Sequence, residues 1–282
     1  MAGALGAQQH RETIKRELAF EQFDASNVFF LANINGSIIA EAYAGTSVIL
    51  EAEFTIRAKT GSRLQRAKEE LSLGVIDRYD TLIVFIKGPC GQFDREWRKY
   101  RSGNSDRWDY NWNNCDYGYD FQHNFTLKIP RSMNVCLSTI NDGDISVSDL
   151  KGSLQLNNIN GSITAKEIAG ETNIHTVNGD VTVEYSRIPS RESSFYTLNG
   201  DINAYFPGAL KADVTFKSFN GDIYTDYTNI EKRPMLLAKN EEVKKQGVSF
   251  KVDATSVISF GGGGVTMRFE TFNGDAYIRK KK

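Results

Sequence analysis

Glycine returns every ninth residue in the middle of the chain, and this spacing restricts the possible folds more than any other feature. The second, fourth and seventh residues after each of four successive glycines are apolar or small. The first two of these positions lie two residues apart, as in a strand that turns one face inward. The third follows an odd step, which predicts a corner before the chain points inward again. The glycines are Gly143, Gly152, Gly161, Gly170 and Gly179, and the predicted inward sets are Ile145/Val147/Leu150, Leu154/Leu156/Ile159, Ile163/Ala165/Ile168 and Thr172/Ile174/Val177.

Alternate glycines belong to a longer motif, an apolar residue followed by Asn-Gly. Asn-Gly accepts the positive φ angles that a tight corner demands. One repeat cannot bury its inner face alone, so repeats of this kind are stabilised by stacking. The copies are Ile34-Asn35-Gly36, the variant Ile140-Asn141-Asp142-Gly143, Ile159-Asn160-Gly161, Val177-Asn178-Gly179, Leu198-Asn199-Gly200, Phe219-Asn220-Gly221 and Phe272-Asn273-Gly274.

The sequence therefore predicts an all-β fold, a single-stranded β-solenoid (a parallel β-helix or β-roll). We expect about 18–21 residues and two strands per rung, with right-handed winding. An array of β-hairpins would also use Asn-Gly turns. Hairpin turns would alternate between the two ends of a sheet, however, whereas here identical corners alternate with a weaker type of corner.

The same pattern divides the chain into regions. The last Asn-Gly copy predicts a final rung that caps the stack. The predicted regions are a signal remnant or disordered start at 1–10, an N-terminal β region that begins the solenoid at 11–87, an aromatic, Asp- and Asn-rich insertion at 88–120, and the repeat solenoid at 121–279 with an irregular excursion at 226–264.

The repeated Asn-Gly-Asp phrases resemble those of the bacterial "putative adhesin" family, a group of extracytoplasmic β-solenoid domains of unknown function. The resemblance covers roughly residues 25–60 and 121–279 and leaves out the insertion. It implies a β-solenoid outside the cytoplasm, in the periplasm, on the outer surface or secreted. The family offers no catalytic motif to carry over. The phrases are Val177 to Val181, Leu198 to Ile202, Phe219 to Ile223 and Phe272 to Ala276.

An acidic column is expected along the Asn-Gly corners. Stacked corners would place successive carboxylates about 4.8 Å apart. Asp180, Asp201 and Asp222 are then weak candidates for a cation site or a polysaccharide-processing ladder, since hard cations prefer clustered carboxylates. The alternative is that each Asp accepts a backbone N–H at its own turn. The full column is Asp144, Ser162, Asp180, Asp201, Asp222 and Asp275.

The insertion holds all three tryptophans of the chain, interleaved with Asp and Asn. Aromatic faces beside amides and carboxylates suit sugar rings, and Trp and Tyr anchors also concentrate binding energy in protein contacts. A structural alternative is that the aromatics fold over the solenoid and hide a strand edge. The candidate ligand-binding residues are Trp97, Trp108, Tyr110, Trp112, Tyr117 and Tyr119.

The cysteines, the charge balance and the apolar runs restrict the possible disulfides, partners and cofactors. Cys90 and Cys115 bracket the insertion and are a candidate disulfide, while Cys136 lies in a strand-like run. Lys+Arg number 34 against 35 for Asp+Glu, which disfavours nucleic acid as a partner. The sequence has no run of about 20 apolar residues, so no membrane span is predicted. No cofactor is predicted, because the run Gly261–Gly264 precedes a strand rather than the helix of a phosphate loop.

Three functional hypotheses follow. The first is a non-enzymatic cell-envelope or extracellular protein that contacts a glycan or a cell-surface protein through the aromatic insertion. The second is a polysaccharide-active β-helix enzyme that uses the Asp column, which fold alone cannot support. The third is a purely structural subunit that self-associates through its solenoid ends, because open strand edges invite pairing.

Overall fold

The structure is a computed structural model, and it describes residues 8–89, 91–92, 111–112, 118–244 and 247–282. The described part is all-β apart from one short helix. The elements are β1 (Gln8–Ala19), β2 (Val28–Ala32), β3 (Ile38–Tyr43), β4 (Ser47–Ala58), α1 (Gly61–Glu70), β5 (Ser72–Arg78), β6 (Thr81–Lys87), β7 (Gly91–Gln92), β8 (Asn111–Trp112), β9 (Tyr119–Pro130), β10 (Asn134–Thr139), β11 (Ile145–Ser148), β12 (Leu154–Asn158), β13 (Ile163–Ile168), β14 (Thr172–Asn178), β15 (Val181–Tyr185), β16 (Ser193–Asn199), β17 (Ile202–Phe206), β18 (Ala212–Lys217), β19 (Ile223–Thr225), β20 (Ile230–Lys244), β21 (Gly247–Phe260), β22 (Val265–Asn273) and β23 (Ala276–Lys280).

Two large mixed sheets, one of ten and one of eleven strands, face each other in this part of the chain. We call one strand of the eleven-stranded sheet, the corner after it and the following strand of the ten-stranded sheet a rung. Neighbouring rungs pair in parallel, for example Ile145 with Ile163 and Leu154 with Thr172. From one end of the stack to the other the rungs are β6/β9, β2/β3, β10/β11, β12/β13, β14/β15, β16/β17, β22/β23 and β18/β19.

The order of rungs departs from the order of the chain at both ends. Rung β2/β3 lies between β6/β9 and β10/β11, and rung β22/β23 lies between β16/β17 and β18/β19. The prediction that the last Asn-Gly copy caps the stack is therefore wrong. The motif could not reveal this, because all Asn-Gly corners offer the same hydrogen-bonding groups and any corner can stack on any other.

The core lies between the two sheets, and most of the predicted inward positions are buried. Ile145, Leu154, Leu156 and Ile163 are at most 1 % exposed. Ile159 differs, since it is 43 % exposed. The predicted seventh position therefore points inward only at the corners without Asn.

The Asn-Gly corners turn a polar side chain inward instead. At the corner that contains Ile159, the buried Asn158 donates its amide to the carbonyl oxygen of Gly143 at 3.0 Å. At the next Asn-Gly corner the buried Thr176 donates its hydroxyl to the carbonyl oxygen of Gly161 at 2.9 Å, and Val177 is only half-buried. Satisfying a buried carbonyl is worth more there than one more methyl group in the core.

Close approach between rungs explains the glycines. A Cβ atom at Gly200 would overlap the carbonyl oxygen of Gly179 in the rung below, and Gly200 also has φ of 153°. The same overlap with the preceding corner occurs at Gly143 and Gly161, whose φ angles are not positive. The expectation that both Asn and Gly need positive φ is therefore wrong, because no Asn in the described residues has positive φ.

Antiparallel elements pair with both sheets at one end of the stack and with the eleven-stranded sheet alone at the other end. At one end β4 pairs with β9, β1 pairs with β4, and β5 pairs with β6. Helix α1 lies between β4 and β5, with Thr60 as its N-cap. At the other end the segment expected to be irregular contains the long hairpin β20–β21, and β21 pairs with β18 over Ser256–Phe260.

Replacing Gly200 by Ala should destabilise the protein by about 3 kcal/mol or more, because the added Cβ forces two rungs apart as well as straining φ. Gly208→Ala is the matched control. Gly208 has φ of 60°, but no heavy atom lies within 4 Å of the position that its Cβ would occupy, so only the strain of about 1 kcal/mol remains. Urea denaturation of both variants measures the difference, and equal losses would contradict the close-contact explanation.

A chain that ends at residue 264 should lose the fold of its neighbouring rungs, since β22/β23 is an internal rung. Met267, Phe269 and Ile278 are at most 1 % exposed, and losing three such side chains costs on the order of 6 kcal/mol, comparable to the whole stability of a domain. Amide hydrogen exchange should show β18 unprotected in this truncated chain. Native protection of β18 would mean that β22/β23 is a removable cap.

Candidate functional site

The aromatic insertion replaces one of the Asn-Gly corners. Strand β6 pairs in parallel with β2, and β9 pairs in parallel with β3. The chain passes from β2 to β3 through the five residues 33–37, whereas it passes from β6 to β9 through residues 88–118. The insertion therefore begins and ends on the same edge of the stack as the Asn-Gly corners, at the end of the corner column.

A short ladder lies at the base of the insertion. Gly91 of β7 pairs with Trp112 of β8, and Gln92 pairs with Asn111, in antiparallel register. The predicted residues Trp97, Trp108, Tyr110 and Tyr117 lie outside the described residues, as do Cys90 and Cys115. Trp112 is described only as a backbone position in β8.

Tyr119 lies at the start of β9 and anchors the returning chain. Its side chain is 7 % exposed, and its hydroxyl donates to Glu70 Oε2 at 2.8 Å. Glu70 also accepts from Arg66 Nε at 2.6 Å, and this hydrogen bond is the main reason that the pKa of Glu70 lies below its ordinary value. Tyr119, one of the predicted ligand-binding residues, is thus hydrogen-bonded to the last residue of helix α1.

His123 lies in the core, four residues further along β9. Its ring is fully buried, with its centroid 3.9 Å from that of Phe54 and 5.3 Å from that of Phe121. Neither ring nitrogen has a hydrogen-bond partner in the described part of the chain. Burial without a partner lowers the pKa of His123 to about 3, so the ring is neutral at physiological pH.

The Asn residues of the corners form a continuous amide ladder. Asn160 donates to Asn141 Oδ1 at 2.8 Å, and Asn178 donates to Asn160 Oδ1 at 2.8 Å. The same bond joins Asn199 to Asn178, Asn273 to Asn199 and Asn220 to Asn273, each at 2.9 Å. At the other end, Asn35 donates to the carbonyl oxygen of Phe121 at 3.1 Å. The ladder thus reaches the strand that leaves the aromatic insertion.

The sequence offered a signal for this ladder that the turn argument did not use. Asn was interpreted as a turn former, yet Asp, Ser or Gly would serve a turn as well. The same amide at every corner is instead typical of a side-chain ladder between stacked strands.

The acidic column is a second ladder beside the first. Asp180 Oδ1 accepts the backbone N–H of Asp201 at 2.8 Å, and Asp201 Oδ1 accepts that of Asp275 at 2.8 Å. Asp275 Oδ1 in turn accepts the N–H of Asp222 at 2.8 Å. Each carboxylate therefore bonds the next rung and not its own turn. Among the described residues, no group of three His, Cys, Asp or Glu is placed to hold a metal ion.

Exposed aromatic pairs lie at the far end of the corner column, and sequence reasoning missed them. Phe219 stacks on Phe272 with 4.8 Å between ring centroids and 4° between ring planes. Tyr224 stacks on Tyr277 at 5.2 Å on the other side of the corner. The available signal was that the same aromatic residue recurs at the same position of two Asn-Gly copies.

Comparison with known proteins gives one family and three distant structures. Residues 132–256 match the model of the family described as Toastrack DUF4097, which has a β-solenoid-like fold. No curated protein matches.

The solved structures similar to this chain are each less than 15 % identical to it. The first is described as a "putative cell adhesion protein" from Clostridium sporogenes, with TM-score 0.40, 8 % identity, and coverage of 96 % of this chain and 100 % of that one. The second is described as a "putative adhesin" from Bacteroides fragilis, with TM-score 0.34, 13 % identity, and coverage of 96 % and 97 %. The third is described as a "putative lipid binding protein" from Parabacteroides distasonis, with TM-score 0.28, 13 % identity, and the same two coverages.

Within the described residues, none of the helices is long and apolar enough to span a membrane.

His123 should make the protein acid-sensitive. The unfolded chain takes up a proton on this side chain below pH 6.5, while the folded chain resists protonation down to about pH 3. The free energy of unfolding should therefore fall with decreasing pH by about 1.4 kcal/mol per unit across this window. His123→Phe should remove this part of the slope in denaturation measured from pH 7 to pH 4.5.

Phe125→Leu is the control for that measurement. It changes the next inward position of the same strand, so it should lower stability at every pH and keep the wild-type slope. Equal slopes for wild type and His123→Phe would contradict the buried neutral imidazole.

Proposed function

We propose that this protein is a non-enzymatic, adhesin-like binding protein of the cell envelope or extracellular space. The observation that carries the proposal is the position of the insertion. A segment that holds every tryptophan of the chain replaces a five-residue corner at the end of a rigid stack. Loops held by a rigid scaffold commonly carry binding functions, and large aromatic side chains concentrate binding energy.

The base of the insertion supports this role. Strand β6 is buried from Thr81 to Ile86, so the outgoing chain starts from a fixed point. The returning chain is fixed by the Tyr119–Glu70 hydrogen bond and the buried Phe121. A binding segment anchored at both ends loses less conformational entropy when it meets a partner.

The partner proposed first is a glycan. Between its aromatic residues the insertion carries Asp106, Asp109, Asn111, Asn113 and Asn114. Their amides and carboxylates can bond sugar hydroxyls while aromatic faces cover the apolar C–H surface of the ring. A cell-surface protein is the alternative partner for the same residues.

The base ladder permits a clean test. Because Gln92 and Asn111 face each other across β7 and β8, residues 93–110 can be replaced by a two-residue Asn-Gly turn. This change removes Trp97, Trp108 and Tyr110 and keeps both ends of the insertion. On a glycan array the intact protein should give a hit that the shortened protein lacks, with thermal midpoints within about 3 °C of each other.

Point variants separate binding from folding. Trp108→Ala and Trp112→Ala should each weaken binding about tenfold or more while the thermal midpoint stays nearly unchanged. Val75→Ala is the control, since it changes an exposed apolar residue of β5, outside the insertion. Unfolding of the tryptophan variants, or an array hit retained by the shortened protein, would show that the insertion is structural.

A further inference from the structure

The last rung of the stack, β18/β19, is left open on the side of the ten-stranded sheet. Strand β18 is covered by β21, but β19 is the edge strand of its sheet. Phe219 is 73 % exposed, Asn220, Gly221 and Asp222 are exposed, and Ile223 is half-buried although it packs on the core. This open end lies at the opposite end of the corner column from the aromatic insertion.

The open end repeats a hydrogen-bonding pattern that every inner corner completes. Gly200 donates its N–H to the carbonyl oxygen of Asn273 in the next rung at 3.0 Å, and Ile202 donates to that of Asp275 at 2.9 Å. The Asp201 carboxylate accepts the N–H of Asp275 at 2.8 Å. These two donors and the Asp201 carboxylate thus face the following rung, beside the Asn199 Oδ1 that accepts the Asn273 amide at 2.9 Å.

At the open end the same three groups face outward. They are the N–H of Gly221, the N–H of Ile223 and the carboxylate of Asp222. In the described part of the chain none of the three has a hydrogen-bond partner. Asp222 is the one aspartate of the column whose carboxylate accepts no bond from a following corner there.

The exposed side chains extend the pattern. One face of the Phe219 ring lies on Phe272, and the other face is open at the end of the stack. Tyr224 is 47 % exposed and stacks on Tyr277 in the same way. A further planar or apolar side chain can therefore continue each stack at about the 4.8 Å spacing of strands.

We propose that β19 binds an extended segment of a partner protein as an additional parallel strand, with a basic side chain opposite Asp222. Peptide groups supply the N–H and C=O groups that Asp222, Gly221 and Ile223 require, at the spacing that the inner corners show. A basic residue is favoured because, within the described residues, neither Asp222 nor Asp275 forms an ion pair with Lys or Arg. The proposal is independent of the glycan proposed for the insertion.

A second copy of this chain fits the open end less well. An antiparallel twofold contact between two β19 strands, centred on Tyr224, would place Asp222 opposite Asp226 of the second copy, where like charges repel. A head-to-tail contact would use β1, the other edge of the same sheet. In β1, Glu12 and Arg16 stand opposite the buried Phe54 and Leu50, so they face the core side, and a stacked copy would bury both charges.

The probes are two fluorescent peptides that copy residues 198–206, the corner and strand β17, one unchanged and one with Asp201→Lys. Strand β16 is left out because its counterpart at the open end, β18, already pairs with β21. Fluorescence anisotropy with the full chain should show the Asp201→Lys peptide binding about fivefold tighter, which is the effect of one exposed ion pair. Its binding should slow amide exchange of Gly221 and Ile223. Phe219→Ser should weaken binding, and Asp222→Lys should reverse the order of the two peptides.

Ile159→Ser is the matched control for Phe219→Ser, because Ile159 is an exposed member of the same column inside the stack. Asp222→Lys should fold normally, since no described bond of the chain uses that carboxylate, and Asp222→Asn serves as a second variant that should make the two peptides equal. Equal affinities for wild type, no protection of Gly221 and Ile223, or a dimer in sedimentation velocity that is lost in Phe219→Ser would each overturn the proposal. A glycan-array hit lost in Phe219→Ser without peptide binding would also overturn it.

Discussion

The close contact of one corner with the next is the constraint on which the rest of the structure depends. The carbonyl oxygen of each corner glycine occupies the space of a Cβ on the glycine that follows in the stack, so larger residues are excluded. At this distance the Asn amides reach one another and each Asp reaches the N–H above it. The buried Asn158 and Thr176 then satisfy the glycine carbonyls from inside. One contact thus determines the glycine, the two ladders and the polar lining of the corner.

Much of this architecture was predictable from the sequence, because the spacing of the repeat indicates which positions are buried. The inward positions of Ile145, Leu154 and Ile163 follow from the nine-residue spacing, and the buried strand Thr81–Lys87 is indicated by its run of apolar residues. The exposure of Ile159 could not be predicted, because a pattern of apolar residues does not show that a carbonyl in the core needs a hydrogen-bond donor. The stacking order of the rungs could not be predicted either. Chemically equal corners leave that order to pairings outside the repeat, such as β21 with β18 and β1 with β4.

The two ends of the corner column differ from each other in their exposed groups, whereas the corners in the middle repeat one pattern. In the middle, the glycine N–H groups of the Asn-Gly corners and the Asp carboxylates of the described corners are bonded to a neighbouring rung, and the outward surface repeats. At one end the corner gives way to the aromatic insertion, and at the other end the pattern stops at Asp222 with its groups facing outward. Distinct recognition chemistry can therefore be placed at the ends without disturbing the stack. Both proposed contacts use this property.

The hydrogen bonds of the acidic column favour binding over catalysis. A pair of carboxylates that acts as acid and base must be free to reach a substrate bond at a defined separation. Asp180, Asp201 and Asp275 each have an oxygen bound to the N–H of the next corner, and removing that bond would loosen the stack. Within the described residues, Asp222 has the one carboxylate of the column that accepts no bond, and it stands beside unpaired peptide N–H groups and an exposed aromatic ring. That combination matches the needs of a peptide strand better than those of a hydrolysed glycosidic bond, so the end of the column is suited to binding.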